Sequence, residues 1–362
     1  MAQSSGIGDI KINVAVSGAH VYASVVGYYT RFGETIVVGP GATPAASGTA
    51  LLNAVTSMAD NSASKPYLIK LEPGVYDLGD NRLQMKPFVD IEGSGRGVTI
   101  VQGAGNLDGV VNTGVIRGTD FAELRNLTLK GIGSASRPFV IPMSIEITSP
   151  SIRGVAIISS GGTVHWGIRN QAANPTIEDV SITVTATGSN IAYGISNNGP
   201  SSPRIRRTEI NVTNSGGPAT GILNDVVHST VELREVRVDV SGTSIARGVE
   251  EAGAGPHVLT VEDSTITART ASSTYGILMN NGNLFVSQSK IRGLGSGGRG
   301  IYTTNFATAT IDHSEIAGDI ATVTNFIAQI GATLLDGGPV LATATCAGVY
   351  DENYTFYAST CP

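Results

Sequence analysis

Ile177-Glu-Asp-Val-Ser-Ile182, Ile205-Arg-Arg-Thr-Glu-Ile210 and Leu233-Arg-Glu-Val-Arg-Val238 are copies of one hexapeptide, apolar at each end and polar between. Val261-Glu-Asp-Ser-Thr-Ile266, Val286-Ser-Gln-Ser-Lys-Ile291 and Ile311-Asp-His-Ser-Glu-Ile316 continue the series, with starts stepping by 28, 28, 28, 25 and 25 residues. Earlier copies begin at Leu124 and Ile152. A second ladder keeps step with the first: Gly167-Ile168, Gly194-Ile195, Gly221-Ile222, Gly248-Val249, Gly276-Ile277 and Gly300-Ile301. Two motifs locked to one period of about 27 residues define a solenoid rather than a globular domain.

The period also selects the type of solenoid. Helical repeats need two helices per unit with apolar residues spaced by three and four. These units are short Val, Ile and Thr-rich runs of alternating polarity, broken by Gly, Ser, Asn and Pro. The Leu-x-x-Leu-x-Leu pattern of leucine-rich repeats is absent. The prediction is an all-β fold, a right-handed single-stranded parallel β-helix of about ten coils, each about 4.8 Å above the last.

Composition fits that fold and narrows the function. A solenoid core grows only along its axis, so 362 residues need no second core. Glycine occurs 46 times and charged residues make up only 14% of the chain, which suits tight turns under a thin polar shell. A net charge of −6 and the lack of any Lys/Arg-rich run argue against nucleic acid as a partner. No apolar run approaches the length of a membrane span.

The pattern divides the chain into five parts. Residues 1–38 hold a short β segment, with strand-like alternation at Ile12, Val14 and Val16 and again at Val21, Ala23 and Val25. Met-Ala-Gln-Ser-Ser has no basic segment followed by an apolar core, so no signal peptide is expected; the two strands are open to three readings, a pair with each other, a cap on the solenoid, or the remnant of an upstream domain of a longer chain. The run Val-Tyr-Ala-Ser-Val-Val-Gly-Tyr-Tyr-Thr is similar to closing strands of β-rich modules in large secreted bacterial proteins. Residues 39–48 read as a linker and 49–66 as a capping helix, with Leu51, Leu52, Val55 and Met58 on one side. The β-helix occupies 67–338 and a C-terminal cap 339–362.

Leu71-Glu-Pro-Gly-Val-Tyr-Asp-Leu78, Met85-Lys-Pro-Phe-Val-Asp-Ile-Glu-Gly-Ser-Gly95 and Val98-Thr-Ile-Val101 resemble the opening coils of the pectin-lyase-like superfamily. The resemblance covers residues 65–335 and implies the fold. Its members include pectate lyases, pectin esterases, polygalacturonases, tailspikes and adhesins, so it does not fix an activity. The Asn-Thr-Asp, Asp-Asp and Gly-His-Gly blocks of galacturonases are missing, and Asn106-Leu-Asp-Gly109 is a distant echo. The esterase signature Gly-x-Val-Asp-Phe-Ile-Phe-Gly is missing too. Ile311-Asp-His-Ser314 faintly matches the lyase Trp-Ile-Asp-His block, but it falls on the repeat, where sister coils carry other pairs. No catalytic residue transfers from the family.

Candidate site residues come from columns that the repeat places on neighbouring coils. Within the hexapeptides, Asp179 with Arg207, Glu209 with Arg237 and Lys290 with Glu315 are complementary neighbours on a solvated face. Each such exposed pair is worth at most about 1 kcal/mol. Asn170, Asn197 and Asn224, followed by Glu251 and roughly continued by Asn280 and Thr303, form a structural ladder in which amides bridge coils. Asp225, Glu250 and Glu251 cluster where that ladder turns acidic, and are the candidate catalytic or sugar-contacting carboxylates. One residue before each ladder glycine stand Trp166, Tyr193, Thr220, Arg247, Tyr275 and Arg299. Trp166, Tyr193, Arg247, Tyr275 and Arg299 form an outward aromatic and cationic stripe suited to sugar rings if the strand bends at the glycine; on a straight strand Trp166 shares the parity of Ile168, and the alternative is partial packing in the core.

Cys346 and Cys361, the only cysteines, bracket a Tyr-rich loop. No Cys-x-x-Cys or nearby His supports a metal pair, and a disulfide here would pin a terminal cap in which Tyr350, Tyr354, Phe356 and Tyr357 supply apolar surface. A disulfide implies an oxidising compartment, hence export. The expectation is a secreted or cell-surface protein that binds a polysaccharide or serves a structural, adhesive role, with no resident cofactor and calcium as the one cation considered. The competing readings are a polysaccharide lyase or glycoside hydrolase with a non-standard site, and a trimeric tail-fibre or filament component, a homo-oligomer joined through a flat face.

Overall fold

The structure, a computed structural model, describes residues 32–104, 114–134, 139–225, 229–253, 255, 257–270, 272–322, 326–338 and 340–362, with Ala2–Ser4 and Ile10–Ile12. The chain forms two units, Met1–Phe32 and Gly33–Pro362. In the first, Ala2–Ser4 pairs antiparallel with Ile10–Ile12. The expected strand through Val21, Ala23 and Val25 and the Asn106–Gly109 echo lie outside the described residues.

The second unit is a parallel β-helix with three sheets. The first has 13 strands, from Glu34–Val38 to Thr343–Ala347. The second has 13, from Gly74–Asp77 to Phe356–Tyr357, and the third 12, from Leu83–Gln84 to Val340–Leu341. There are thus more coils than expected, because Glu34–Val38 lays a strand ahead of the helix and Thr343–Ala347 adds another beyond residue 338.

Each hexapeptide is a corner. In one coil Thr176–Glu178 belongs to the first sheet, Asp179 turns the chain, and Ser181–Ala186 enters the second sheet. The third residue of every copy is left-handed: Asp179 (φ 53), Arg207 (φ 44), Glu235 (φ 53), Asp263 (φ 49), Gln288 (φ 49) and His313 (φ 45). Left-handed backbone costs a non-glycine residue roughly 1 kcal/mol, and here each such N–H is held by the next coil, as in Asp179 N to Arg206 O at 3.2 Å and Arg207 N to Arg234 O at 3.0 Å. The fourth position adds a hydroxyl ladder: Ser264 N donates to Ser289 Oγ at 3.0 Å and Ser289 N to Ser314 Oγ at 3.2 Å. The complementary neighbours meet as well, with Arg207 Nε on Asp179 Oδ1 at 2.8 Å, Arg237 Nε 3.9 Å from Glu209 Oε1, and Lys290 on Glu315.

The sixth position fills the interior. Ile157, Ile182, Ile210, Val238, Ile266, Ile291 and Ile316 stand in one register row and are all fully buried. The glycine ladder faces this row across the core. A Cβ on Gly167, Gly194, Gly221 or Gly248 would lie 2.3, 2.4, 2.4 and 2.2 Å from Ile182, Ile210, Val238 and Ile266. No side chain fits there.

The helix spans Pro44–Ser57 rather than starting at Thr49. Thr43 is its N-cap, accepting from Ala46 N at 3.1 Å, and Pro44 occupies the first turn, where its missing N–H costs nothing. The Pro and Gly that suggest a linker are therefore helix-start chemistry. Leu51, Val55 and Met58 are buried, and Leu52 is partly so. Gly48 lets the helix touch the strand Gly74–Asp77: a Cβ there would lie 1.9 Å from Asp77 O.

Cys346 and Cys361 are bonded, with Cα atoms 5.2 Å apart. The cap differs from expectation. Tyr350, Tyr354 and Phe356 are exposed, Tyr350 and Phe356 contacting each other at 5.2 Å, while Tyr357 and Cys361 pack on the core. Val349–Asp351 pairs antiparallel with Phe356–Tyr357, and this hairpin closes the edge of the second sheet.

Two outcomes follow. Gly221→Ala should destabilise the chain by about 2 kcal/mol through overpacking against Val238, seen as a lower thermal midpoint; an unchanged midpoint would refute the contact. Reducing the disulfide should remove about 3 kcal/mol, with amide exchange rising first in residues 343–362 because solenoid coils depend on their neighbours.

Candidate functional site

The third sheet holds the columns that contain the candidate residues, and the glycine determines which way its side chains point. The strand Ala192–Asn198 sends Ala192, Gly194, Ile195 and Asn197 to the interior or its corner, and leaves Tyr193, Ser196 and Asn198 on the outer side. The chain bends at Gly194, so Tyr193 and Ile195 face opposite ways although they share strand parity. The same bend recurs in each coil. Trp166, Tyr193, Thr220, Arg247 and Tyr275 lie in one register column with Arg299 next.

This column is not the open stripe expected of it. Trp166 lies outside the isoleucine core, yet it is only 8% exposed. Its ring stacks on Tyr193 at 5.9 Å and 18° and meets Phe139 at 6.2 Å. The rings lie over one another along the axis, so Trp166 has its faces occupied by neighbouring coils. Tyr275 contacts Tyr302 at 5.3 Å, and the Arg299 guanidinium sits 4.1 Å from the Tyr302 ring and 5.7 Å from Tyr275. These ring contacts join neighbouring coils, so the rings take part in packing along the axis.

Past Tyr193 the column turns polar. Arg247 Nη1 lies 3.4 Å from Glu250 Oε2, with side chains 18% and 14% exposed. Leu223 and Leu278 are the register neighbours of Glu250. Burial holds the Glu250 carboxyl above the ordinary range, Arg247 opposing this in part. Burial also raises the Tyr193 phenol, helped by Glu250. Asp225 is exposed at the end of its strand. Asp225 and Glu250 thus share the outward side, whereas Glu251 is fully buried. The expected cluster of three carboxylates does not exist, because adjacent residues 250 and 251 point to opposite sides of the strand.

A further outward column was not anticipated. Glu146, Gln171, Asn198 and Asp225 are register neighbours on four successive coils. Local bonds set the planes of the first three: Arg117 Nη2 to Glu146 Oε2 at 2.5 Å, Arg169 Nη2 to Gln171 Oε1 at 3.3 Å, and Asn198 Nδ2 to Ser196 Oγ at 3.0 Å. Glu146 Oε1 is buried and has no hydrogen-bond partner among the described residues. The sequence signal is present in the pairs Asn170-Gln171, Asn197-Asn198 and Asn224-Asp225, of whose second members the sequence reading singles out Asp225 alone.

Those first members form an interior ladder. Asn170 Nδ2 donates to Asn197 Oδ1 at 3.0 Å, Asn197 Nδ2 to Asn224 Oδ1 at 2.6 Å, and Asn224 Nδ2 to Glu251 Oε1 at 2.5 Å. Met279, not Asn280, takes the next register position, followed by Thr303. Ser229 Oγ lies 3.1 Å from Glu251 Oε2 and 2.9 Å from His257 Nδ1, and burial pushes Glu251 up to about 8. This Ser, His and Glu grouping is no nucleophilic triad. Serine and carboxylate address the same ring nitrogen, the other donates to Gly253 O at 3.0 Å, and all three side chains are buried.

The remaining candidates are quickly placed. His313 is an exposed left-handed corner residue whose Nδ1 lies 2.8 Å from Asp312. Among the described residues no three His, Cys, Asp or Glu side chains are grouped as a metal centre requires. Trp166→Ala should lower stability by about 2–3 kcal/mol, since it empties a covered stack between two rings. A thermal midpoint equal to the parent's would show that the stack is idle.

No protein-family model matches the chain, and no curated protein matches it. Similar solved structures include the A-module of a mannuronan C-5 epimerase from Azotobacter vinelandii, at 14% identity and a TM-score of 0.39, covering 84% of this chain and 95% of the module. A mannuronic acid specific polysaccharide family 6 lyase from human gut microbiota is similar at 8% identity and a TM-score of 0.39, covering 87% of this chain and 83% of the lyase. A pectin methylesterase in complex with a hexasaccharide is similar at 12% identity and a TM-score of 0.32, covering 61% and 75%. At such values the likeness concerns the course of the chain and is silent on activity.

Proposed function

We propose that this protein binds an extended glycan along the outward side of its third sheet, as an exported or cell-surface component. The observation that carries the reading is the column Glu146, Gln171, Asn198 and Asp225, four planar polar side chains on consecutive coils. Coils stack about 4.8 Å apart, close to the roughly 5 Å rise per ring of an extended polysaccharide, so successive rings would meet successive side chains. Planar amides and carboxylates donate to or accept from pairs of ring hydroxyls. Arg169 and Ser196 already hold the Gln171 and Asn198 planes, which reduces the ordering cost of binding. Arg247, Glu250 and the Tyr193 hydroxyl edge extend the polar track by one coil. The disulfide supports export, because such bonds persist in oxidising compartments.

The test is a polysaccharide panel scored for both retention and product release. Gln171→Ala with Asn198→Ala should fold with the parent's thermal midpoint and lose retention of the bound polymer by about tenfold, the loss of two to three hydrogen bonds. Retention unaffected by this double substitution would move the site off this column. Release of new reducing ends or unsaturated products would make the face catalytic.

A further inference from the structure

The cluster beneath the outward face contains one proton that can be counted. Ser229 Oγ, Glu251 Oε2 and His257 Nδ1 form a triangle with sides of 3.1, 2.9 and 3.3 Å. His257 Nε2 carries a hydrogen, since it lies 3.0 Å from a carbonyl oxygen, Gly253 O, that can only accept. In the neutral ring Nδ1 is then a bare acceptor. The serine hydroxyl supplies one hydrogen to the triangle. Without a second, a carboxylate oxygen and a nitrogen lone pair face each other at 3.3 Å in a site where all three residues are at most 4% exposed. The second hydrogen sits on Glu251 or on His257, and it closes the triangle.

We propose that this shared proton is a lock on the outward face: with it in place the coil holds Asp225 and Glu250 in position, and its loss opens the coil and releases the ligand. The consequence for ligand rests on the glycan reading above; the lock itself does not. The coupling is covalent and short. Asn224, which donates to Glu251, precedes Asp225, and Glu251 follows Glu250, so interior and exterior groups share two strands. Asn224 faces Glu251 from Ala219–Asp225, Ser229 and His257 face it from the first-sheet side, and Met279 takes its register position on Ser273–Met279. His257 is the titratable group in contact with it; Asp225, Arg247 and Glu250 lie on the other side of the strands.

The direction follows from linkage. Burial raises Glu251 from 4.5 to about 8, so the folded chain binds the extra proton where the unfolded chain has lost it. The stability that goes with the neutral acid is complete below the unfolded value and is lost as pH rises through about 8. Glu251→Gln keeps an acceptor for Asn224 and offers an N–H to the triangle that cannot be removed. Amide exchange at pH 6 and pH 9, corrected for the intrinsic rate, is the measurement. In the parent, protection in 219–225 and 257–262 should fall at least tenfold at pH 9 while that of 176–186 holds; in Glu251→Gln it should not change. Equal loss in both proteins, or no loss confined to this coil in the parent, overturns the lock. The parent's own profile decides if the variant does not fold. Because no ligand is needed, failure here leaves the glycan reading standing, and a working lock in a chain that no polysaccharide retains sinks that reading alone.

Discussion

The fold depends on a contact between nothing and something: a glycine with no side chain opposite an isoleucine or valine that needs the space. Gly167, Gly194, Gly221 and Gly248 each leave a hollow that Ile182, Ile210, Val238 and Ile266 fill from across the coil. The contact is local, about 16 residues apart in sequence, and it recurs in six successive coils, from Gly167 to Gly300. It explains why the two sequence ladders share one period. Had the glycine drifted by one residue, the isoleucine would meet a Cβ and the coil could not close. The bend at the same glycine then turns Trp166, Tyr193 and Arg247 outward, so the packing requirement of the interior also decides which residues reach the surface.

Much of the fold was legible because close packing repeats. The period, the interior row ending in Ile316, the solenoid type and the Cys346–Cys361 bond all follow from spacing. The helix start was missed for a physical reason: Thr43-Pro44 has the same composition as a linker, and only the hydrogen bond from Ala46 N distinguishes a cap from a turn. The left-handed corners were missed because Asp179, Arg207 and Glu235 share no residue type. What they share is a neighbouring carbonyl, which no single chain position encodes.

The site was less legible, and the failures have one origin. A strand places adjacent residues on opposite sides, and a column assignment that is off by one residue inverts the meaning of every member. Glu250 and Glu251 read as a pair in sequence, yet one lies on the outer side of the strand, partly covered beside Arg247, and the other completes the asparagine ladder. Gln171 and Asn198 went unnoticed because the ladder beside them offered a sufficient explanation for the Asn-rich dipeptides, and Asp225 was grouped with Glu250 and Glu251 rather than with them. Trp166 was placed on the correct side but with its faces free, since stacking between coils is invisible until the coil spacing brings Phe139 and Tyr193 against it.

The three outward surfaces differ in how far they satisfy themselves. On the first sheet the charges are paired along the axis: Arg125 with Glu92 at 2.9 Å, Arg153 with Glu178 at 2.6 Å, Arg206 with Glu232 at 2.6 Å. The second combines short groups that water covers at little cost, such as Thr183, Thr185 and Thr213, with charges that are again paired, Arg237 with Asp239 at 3.8 Å and Arg292 with Glu315 at 2.5 Å. On the third, aromatic rings and guanidinium groups contact one another, but in the outward row local bonds fix the planes of Glu146, Gln171 and Asn198 while leaving Gln171 Nε2 and Asn198 Oδ1 without a partner among the described residues. A surface whose polar groups are held rigid without being satisfied favours a partner that brings many hydroxyls at a matching repeat. This difference in satisfaction, more than any single residue, is what supports the proposal of a glycan on the third sheet.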